Sequence, residues 1–230
     1  MKKIISFFLT LTITVLCFPF TVFAVGGEFM VADSVIVVSA DASKTDKYAA
    51  ERLKFYLDKI IGGNMAVVTD DADSNGFEIC IGESNRTDND FSSSADGSYV
   101  IISSADKLVI SGAGNKGTIN GVYAFLEKYC GCHWYESEVT VIPENKNLSV
   151  PNGINDVYTP YFEYTETDTA SSRDAEFSLA NGLTGGVYRD FTQEQGSAVD
   201  YIGAFCHTFT TYFCKSETYF EQHPEYFALH

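Results

Sequence analysis

Residues 114–135 read GNKGTINGVYAFLEKYCGCHWY, a glycine-broken turn followed by an amphipathic segment that ends on Cys-Gly-Cys-His-Trp. Gly117 allows the backbone to turn sharply before this segment. Val122 and Phe125 are three residues apart and therefore fall on one apolar face at helical spacing. The stretch predicts a helix from Thr118 to Tyr129 that packs its apolar face on a sheet.

The upstream sequence supplies that sheet and a second helix. Residues 44–61 carry apolar side chains near helical spacing and are followed by Gly62 and Gly63, which predicts an amphipathic helix with a glycine stop. Apolar or alternating runs bounded by turn residues predict six strands at Ser34–Ser39, Met65–Val68, Phe77–Ile81, Ser98–Ser103, Lys107–Ser111 and Val139–Ile142. The predicted fold class is α/β (α+β), a mixed-sheet domain with two packed helices.

The chain changes character after the last predicted strand. Asn145 to Asp156 include Pro151 and Gly153, a composition that predicts a linker. Beyond it the sequence becomes aromatic and polar. We therefore expect one domain over residues 25–150, long enough to bury its own core, and a second segment over residues 151–230.

The first 24 residues have the pattern of a secretory signal peptide. Lys2 and Lys3 precede an uncharged apolar run from Ile4 to Phe23, and Val22-Phe23-Ala24 closes it at the signal-peptidase positions. A transmembrane anchor is the alternative, because the run is close to the ~20 residues that span a bilayer. Pro19 and the small-residue exit favour cleavage. We expect a secreted protein, extracellular or at the cell surface, without membrane association after cleavage.

The charge balance argues against one class of partner. The sequence has 15 lysines and arginines against 31 aspartates and glutamates, a formal net charge of −16. Cleavage of residues 1–24 removes Lys2 and Lys3 and no acid, which leaves 13 basic residues against the same 31 acids, a net charge of −18. Nucleic acids are bound by basic surfaces, so we expect no nucleic-acid partner.

The Cys-Gly-Cys-His cluster at residues 130–133 allows two interpretations. A structural zinc needs four ligands, whereas this cluster supplies two thiolates and one imidazole at most. Five cysteines remain after loss of Cys17, an odd number that argues against a complete disulfide framework. We expect buried free cysteines at a helix stop made by Gly131, and no metal; a metal or redox site is the alternative.

Gly112, Gly114 and Gly117 raise the alternative of a phosphate-cradling loop. These glycines follow a hairpin strand instead of opening a parallel β-α-β unit, and the acidic chain offers few basic groups to assist phosphate. We therefore expect no nucleotide and no other cofactor.

Several longer motifs resemble the bacterial DUF4838 family. They are AAERLKFYLDKIIGG at residues 49–63, GSYVIISSADKLVISGAGNKGTINGVYAFLEKYCGCHWYESEVTVIP at 97–143 and GAFCHTFTTYFCKSETYFEQHPEYFAL at 203–229. The resemblance implies an N-terminal domain similar to the accessory domain of α-glucuronidases (glycoside hydrolase family 67) and β-hexosaminidases, joined to a (β/α)8 catalytic-type barrel. Lys116 departs from the pattern, because the related accessory domains usually have arginine before the glycine.

The resemblance also implies that the second segment begins this barrel. PYFEYTETDT at 160–169 resembles the first strand and loop, DAEFSLANGLTG at 174–185 the first helix, and YIGAFCHTF at 201–209 the second strand. The 76 residues from Asn155 onward are far fewer than the ~200 of a complete barrel, so we expect an incomplete (β/α)8 barrel in a truncated chain. The related enzymes take their catalytic carboxylates from later strands, so we expect this chain to be inactive as a hydrolase.

Four residues are candidates for contact with a sugar. His207 ends the predicted second barrel strand, where barrel active sites collect, and Thr208 and Glu163 are expected in the same wall. A satisfied core histidine is the alternative for His207. Trp134 is the fourth candidate, since aromatic faces suit sugar CH groups, and core packing is its alternative. The acids of the segment are expected to be solvated or helix-capping and not catalytic: Glu163, Glu166, Asp168 and Glu225.

Two functions of different classes follow. The first is an exported glycoside-hydrolase-like protein of carbohydrate metabolism, acting on plant or host glycans with uronic or N-acetylated sugars. In that case, this chain comprises the accessory domain and the start of the barrel. The second is a non-catalytic carbohydrate-binding or scaffolding module. A carbohydrate is the expected partner in both.

Overall fold

The computed structural model of the chain describes residues 27–74, 76–88, 90–91, 93–186, 189–199 and 208–227. The strands in these residues are β1 (Glu28–Met30), β2 (Ser34–Val38), β3 (Val67–Thr69), β4 (Phe77–Ile81), β5 (Tyr99–Ser103), β6 (Lys107–Gly112), β7 (His133–Glu136), β8 (Val139–Val141), β9 (Ser149–Pro151) and β10 (Asn155–Tyr158). The α-helices are α1 (Lys44–Ile61), α2 (Gly117–Cys130), α3 (Ala175–Ala180) and α4 (Ser216–Tyr219).

Six of the strands form one mixed sheet in the order β10-β5-β6-β4-β2-β3. The pairs β10-β5 and β5-β6 are antiparallel, whereas β6-β4, β4-β2 and β2-β3 are parallel. Helix α1 links β2 to its parallel neighbour β3, the crossover that parallel strands require. This arrangement confirms the predicted α/β class with a mixed sheet.

Helix α1 has the bounds that its sequence pattern predicted. The side chain of Ser43 accepts a hydrogen bond from the backbone N–H of Asp46 at the first turn, and Gly62 ends the helix in the left-handed conformation at φ 66°. Leu53, Leu57 and other apolar residues on one face are buried against the sheet. The capping residues set the length of the helix, and the apolar face sets its orientation.

Helix α2 packs beside α1 on the same core. Its first residue is Gly117, and glycine is required there because the backbone approaches closely: a Cβ would lie 2.4 Å from the carbonyl oxygen of Ser98. Gly131 ends the helix at φ 77°, as the predicted helix stop requires. The buried face of α2 includes Val122 and Phe125, so the helix predicted from Thr118 to Tyr129 is confirmed.

The predicted linker over residues 145–156 is wrong. Strand β9 pairs with β1, and β10 is the edge strand of the six-stranded sheet, paired with β5. Pro151 is tolerated because it ends a two-stranded ribbon, where no N–H is needed for a further ladder bond. Gly153, at φ 85°, makes the turn between the two strands. The main sheet therefore extends to Tyr158.

The predicted first barrel strand within residues 160–169 is also wrong, because neither a strand nor any part of one lies in this segment. The backbone N–H of Thr165 donates to the Thr184 hydroxyl at 2.9 Å, so a side chain replaces the carbonyl that a strand ladder would supply. Helix α3 lies within residues 174–185 and confirms the predicted helix. The predicted second strand lies outside the described residues except for its last two positions, where Thr208 precedes a π-helical turn, Phe209–Phe213.

Within the described residues, no helix is long and apolar enough to cross a membrane.

Candidate functional site

A cavity of about 450 Å³ lies between helix α2 and the segment that follows the sheet. Asp96, Lys116 and Asn120 line it from the loop before β5 and from the start of α2. The opposite side comes from residues 158–165 and from the region of α3. The volume lies in the range of roughly 300–1,000 Å³ that is typical of small-molecule sites.

Three aromatic side chains, Tyr158, Tyr161 and Phe162, form one side of the cavity, which we call the aromatic wall. Tyr158 is the last residue of β10 and stacks on Tyr99 of β5, its partner in the sheet, with ring centroids 5.1 Å apart. Beyond Pro160 the chain leaves the sheet, and Tyr161 and Phe162 are 95% and 73% exposed. Large aromatic rings held at a cavity edge and facing water are available to a ligand.

Polar groups complete the lining of the cavity. Glu163 follows the aromatic wall directly, and its side chain is exposed. Its backbone carbonyl accepts a hydrogen bond from the Thr184 hydroxyl at 3.1 Å, which fixes the loop that carries it. Asn120 donates from its side-chain amide to the Gly97 carbonyl at 3.1 Å. Exposed carboxylates on Asp96 and Glu127 add acceptors on the α2 side.

Lys116 is the basic residue of the lining, and it is only 2% exposed. Its ammonium group donates to the Gln195 carbonyl at 2.9 Å and lies 4.0 Å from the ring centroid of Phe191. Burial lowers the pKa of Lys116 to about 8, partly offset by the nearby carboxylate of Asp96. The lysine thus connects the turn before α2 to the second segment, as a structural cation.

The four candidate sugar contacts predicted from the sequence are not brought together among the described residues. Glu163 lines the cavity, whereas Thr208 is not part of its lining. His207 lies outside the described residues. Trp134 is buried, which agrees with core packing and leaves no aromatic face for a sugar. Its neighbour Tyr135 is 63% exposed.

The Trp134 side chain belongs to a polar cluster where α1, α2 and α3 meet. The Trp134 indole N–H donates to the Tyr56 hydroxyl at 2.9 Å, and that hydroxyl donates to Glu176 Oε1 at 2.6 Å. Arg52 Nη2 donates to the same oxygen at 2.8 Å. Burial raises the pKa of Tyr56, as does its bond to the Glu176 carboxylate. The cluster fastens the second segment to the sheet domain through Glu176.

The cysteines near the end of α2 have the properties of core residues. Cys130 and Cys132 are buried and free, and both pack in the main core. Burial raises the pKa of the Cys130 thiol well above its usual range and that of Cys132 to about 12. Over the described part of the chain, no group of three or more His, Cys, Asp or Glu side chains is arranged to hold a metal ion.

Sequence reasoning missed the aromatic wall because it assigned residues 160–169 to the first barrel strand and the loop after it. A signal was present: VYTPYFEY at 157–164 contains four aromatic residues around a proline, and proline disfavours a continuous strand. Aromatic side chains on both sides of such a break cannot all enter one core. Some must therefore face water, where they can contact a ligand.

Comparisons with known proteins agree with the motifs in the second segment. Residues 134–230 match the family model of DUF4838, a domain of unknown function. The chain thus resembles this family, as the motifs predicted, with the matched range starting at Trp134. No curated protein matches the sequence.

Among solved structures, the chain is similar to one described as a family GH115 4-O-methyl-α-glucuronidase with specificity for decorated arabinogalactans. The TM-score is 0.43 and the sequence identity is 14%. The match covers 60% of this chain and 19% of that glycoside hydrolase, so the chain spans about a fifth of its length.

Proposed function

We propose that this chain is part of an exported glycoside-hydrolase-like protein of carbohydrate metabolism and that its cavity binds a sugar. In this proposal residues 25–150 form the accessory domain, with β10 completing their sheet, and residues 151–230 begin a DUF4838 barrel-like domain. The aromatic wall beside the Glu163 carboxylate is the observation that carries the proposal.

The chemistry of the lining suits a sugar ring. One face of a pyranose presents CH groups, which pack on aromatic rings such as Tyr161 and Phe162. Its hydroxyls need hydrogen-bond partners when they leave water. The carboxylate of Glu163 and the amide of Asn120 supply acceptors and donors at the same cavity.

The direct test measures binding of the purified chain to a panel of oligosaccharides and soluble polysaccharides by calorimetry. Replacement of both exposed rings, Tyr161→Ala with Phe162→Ala, is expected to weaken binding at least about tenfold, because aromatic anchors dominate such sites. Both side chains are mostly exposed, so their loss should leave the fold intact. Tyr135→Ala is the matched control, since this tyrosine is also exposed but lies outside the cavity.

No binding to any member of the panel, or equal binding by the double variant and the control, would refute the proposal. An assay of aryl glycosides and aldouronic oligosaccharides separates a binding role from a catalytic one. We expect binding without turnover. Turnover that disappears on Glu163→Gln would assign a catalytic carboxylate to this cavity.

A further inference from the structure

We infer that the cavity selects a neutral sugar unit and discriminates against the corresponding uronic acid. This inference rests on the proposed function and names the class of sugar that the same site takes. The sequence led us to expect glycans with uronic or N-acetylated sugars. For this cavity we now favour neutral sugars, including N-acetylated ones, over uronic acids.

The charges that line the cavity carry the inference. Three acidic residues line it, Asp96, Glu127 and Glu163, and all three side chains are exposed. Sites that recognise a carboxylate usually present an arginine, whose planar group pairs with both oxygens. The described lining contains no arginine, and Lys116 is its basic residue.

Lys116 cannot serve a ligand carboxylate. Its side chain is 2% exposed, and its ammonium group is held by the Gln195 carbonyl and by the face of Phe191. Burial also lowers its pKa to about 8, so near that pH the positive charge is only partly present. The lysine therefore balances at most one of the three acids, Asp96, beside its own turn.

Other charged groups near the lining do not change the sign of its charge. Arg189 lies near Lys116 but is itself buried, and its charge is opposed by that of Glu166. Arg52 and Glu176, near the lining residue Tyr123, form an ion pair with each other.

Lys128 and His133 also lie beside the lining. Lys128 donates to the hydroxyl of the lining residue Tyr99 at 3.4 Å, but it also forms a 2.7 Å ion pair with Asp156. The pair adds no net charge. His133 Nδ1 lies 3.7 Å from Glu127 Oε1, and both side chains are largely open to water, which screens the pair.

The dimensions of the cavity bring a ligand charge close to all of these groups. A compact cavity of 450 Å³ is roughly 9.5 Å across, so we take about 8 Å as the separation between a ligand carboxylate and a lining acid. One uncompensated charge at about 8 Å in a water-like dielectric weakens binding about two- to threefold. Two or three such groups give a discrimination of at least about fivefold.

The experiment compares methyl glycosides that differ only at C6. Glucose is paired with glucuronic acid and galactose with galacturonic acid, and dissociation constants are measured by ligand-observed NMR at pH 8 and about 10 mM salt. The neutral member of a pair is expected to bind at least about fivefold more tightly. The ratio should approach one at about 0.5 M salt, where charges are screened.

Variants test whether the lining acids cause the difference. The double change Asp96→Asn with Glu163→Gln should bring the affinities of the two members closer together. Glu51→Gln, an exposed acid of α1 outside the lining, removes one charge elsewhere and should leave the ratio unchanged. A ratio that stays the same in the double variant overturns the electrostatic argument.

The remaining outcomes separate this inference from the proposed function. Equal or tighter binding of a uronic acid overturns the inference, while the cavity remains a sugar site. Failure of all four methyl glycosides, together with failure of the polysaccharide panel, overturns both.

Discussion

The ion pair between Arg52 of α1 and Glu176 of α3 should hold the second segment on the sheet domain. Both side chains are mostly buried, with exposed fractions of 23% for Arg52 and 28% for Glu176. Glu176 Oε1 also accepts the Tyr56 hydroxyl, so one oxygen anchors two donors of α1. The Glu176→Gln substitution keeps the size and the acceptor but removes the charge.

The expected cost lies between two limits. Breaking a fully buried pair costs about 3–5 kcal/mol, because a charge is left without a partner. An exposed pair contributes about 0–1 kcal/mol. With roughly a quarter of each side chain in water, we expect Glu176→Gln to lower the free energy of unfolding by about 2 kcal/mol. For a chain of this length the melting temperature should fall by about 4–8 °C.

A double-mutant cycle isolates the interaction. Arg52→Met keeps much of the aliphatic length of the side chain and removes the guanidinium group, which also lies over the Phe55 ring. It is combined with Glu176→Gln in urea denaturation experiments. We expect a coupling energy of at least about 1 kcal/mol. A coupling energy below about 0.3 kcal/mol would refute the reasoning, since it lies at the low end of the range for exposed surface pairs. Glu51→Gln controls for a charge change on the exposed face of α1.

Three further predictions concern α2. Burial lowers the pKa of Lys116 from 10.5 to about 8 in the folded state, so the unfolded state binds this proton more tightly. Protonation of Lys116 therefore destabilises the folded state. This loss of stability is complete below pH 8 and disappears as the pH approaches 10.5. Wild-type stability relative to Lys116→Met should rise by at most about 2 kcal/mol from pH 7.5 to 9.5 in urea denaturation, and a constant difference would contradict this. Gly117→Ala places a Cβ 2.4 Å from a backbone carbonyl and should lower the free energy of unfolding by more than about 3 kcal/mol. Gly153→Ala, where no atom lies within 4 Å, should lower it by only about 1 kcal/mol. Similar losses of stability for the two variants in thermal denaturation would disprove the close-approach argument. Cys132→Ser should leave the metal content unchanged by mass spectrometry, and loss of a stoichiometric zinc would contradict this.

The elements predicted best are those with local signals. Helix α1 has a serine cap, a period of 3.6 and a glycine stop, and all three depend on neighbouring residues in the chain. Strand β4 is an apolar run that is buried in the sheet over most of its length. Strand β10 was missed because Asn155–Tyr158 is short and polar, and its pairing with β5 joins residues more than 50 positions apart. Such a pairing depends on tertiary structure, which a single sequence does not show. The turn-forming residues nearby also made the segment look like a linker.

The cavity was only partly predictable for the same reason. Glu163 was a candidate because the resemblance put it near the start of a barrel, but no local pattern indicated that Asp96 and Asn120 would face it. Asp96 lies before β5 and Asn120 lies in the first turn of α2, about 40 to 70 positions before Glu163 in the sequence. Their position opposite Glu163 depends on the packing of the second segment against α2. A pairwise contact across two segments has no signature in a single sequence.

The origin of the cavity in two segments connects its ligand binding to their docking. A ligand that touches both walls binds the docked arrangement, so its apparent affinity is reduced by the fraction of molecules that are undocked. Suppose that docking of the second segment is favourable by more than about 3 kcal/mol. A loss of about 2 kcal/mol of docking free energy in Glu176→Gln then still leaves more than about 80% of molecules docked, and the sugar affinity hardly changes. The cavity residues are unchanged in this variant. A fall in sugar affinity larger than about 1.3-fold would therefore show that docking is favourable by less than about 3 kcal/mol. Affinity in this one variant thus measures how firmly the second segment is held, independently of its contacts with the sugar.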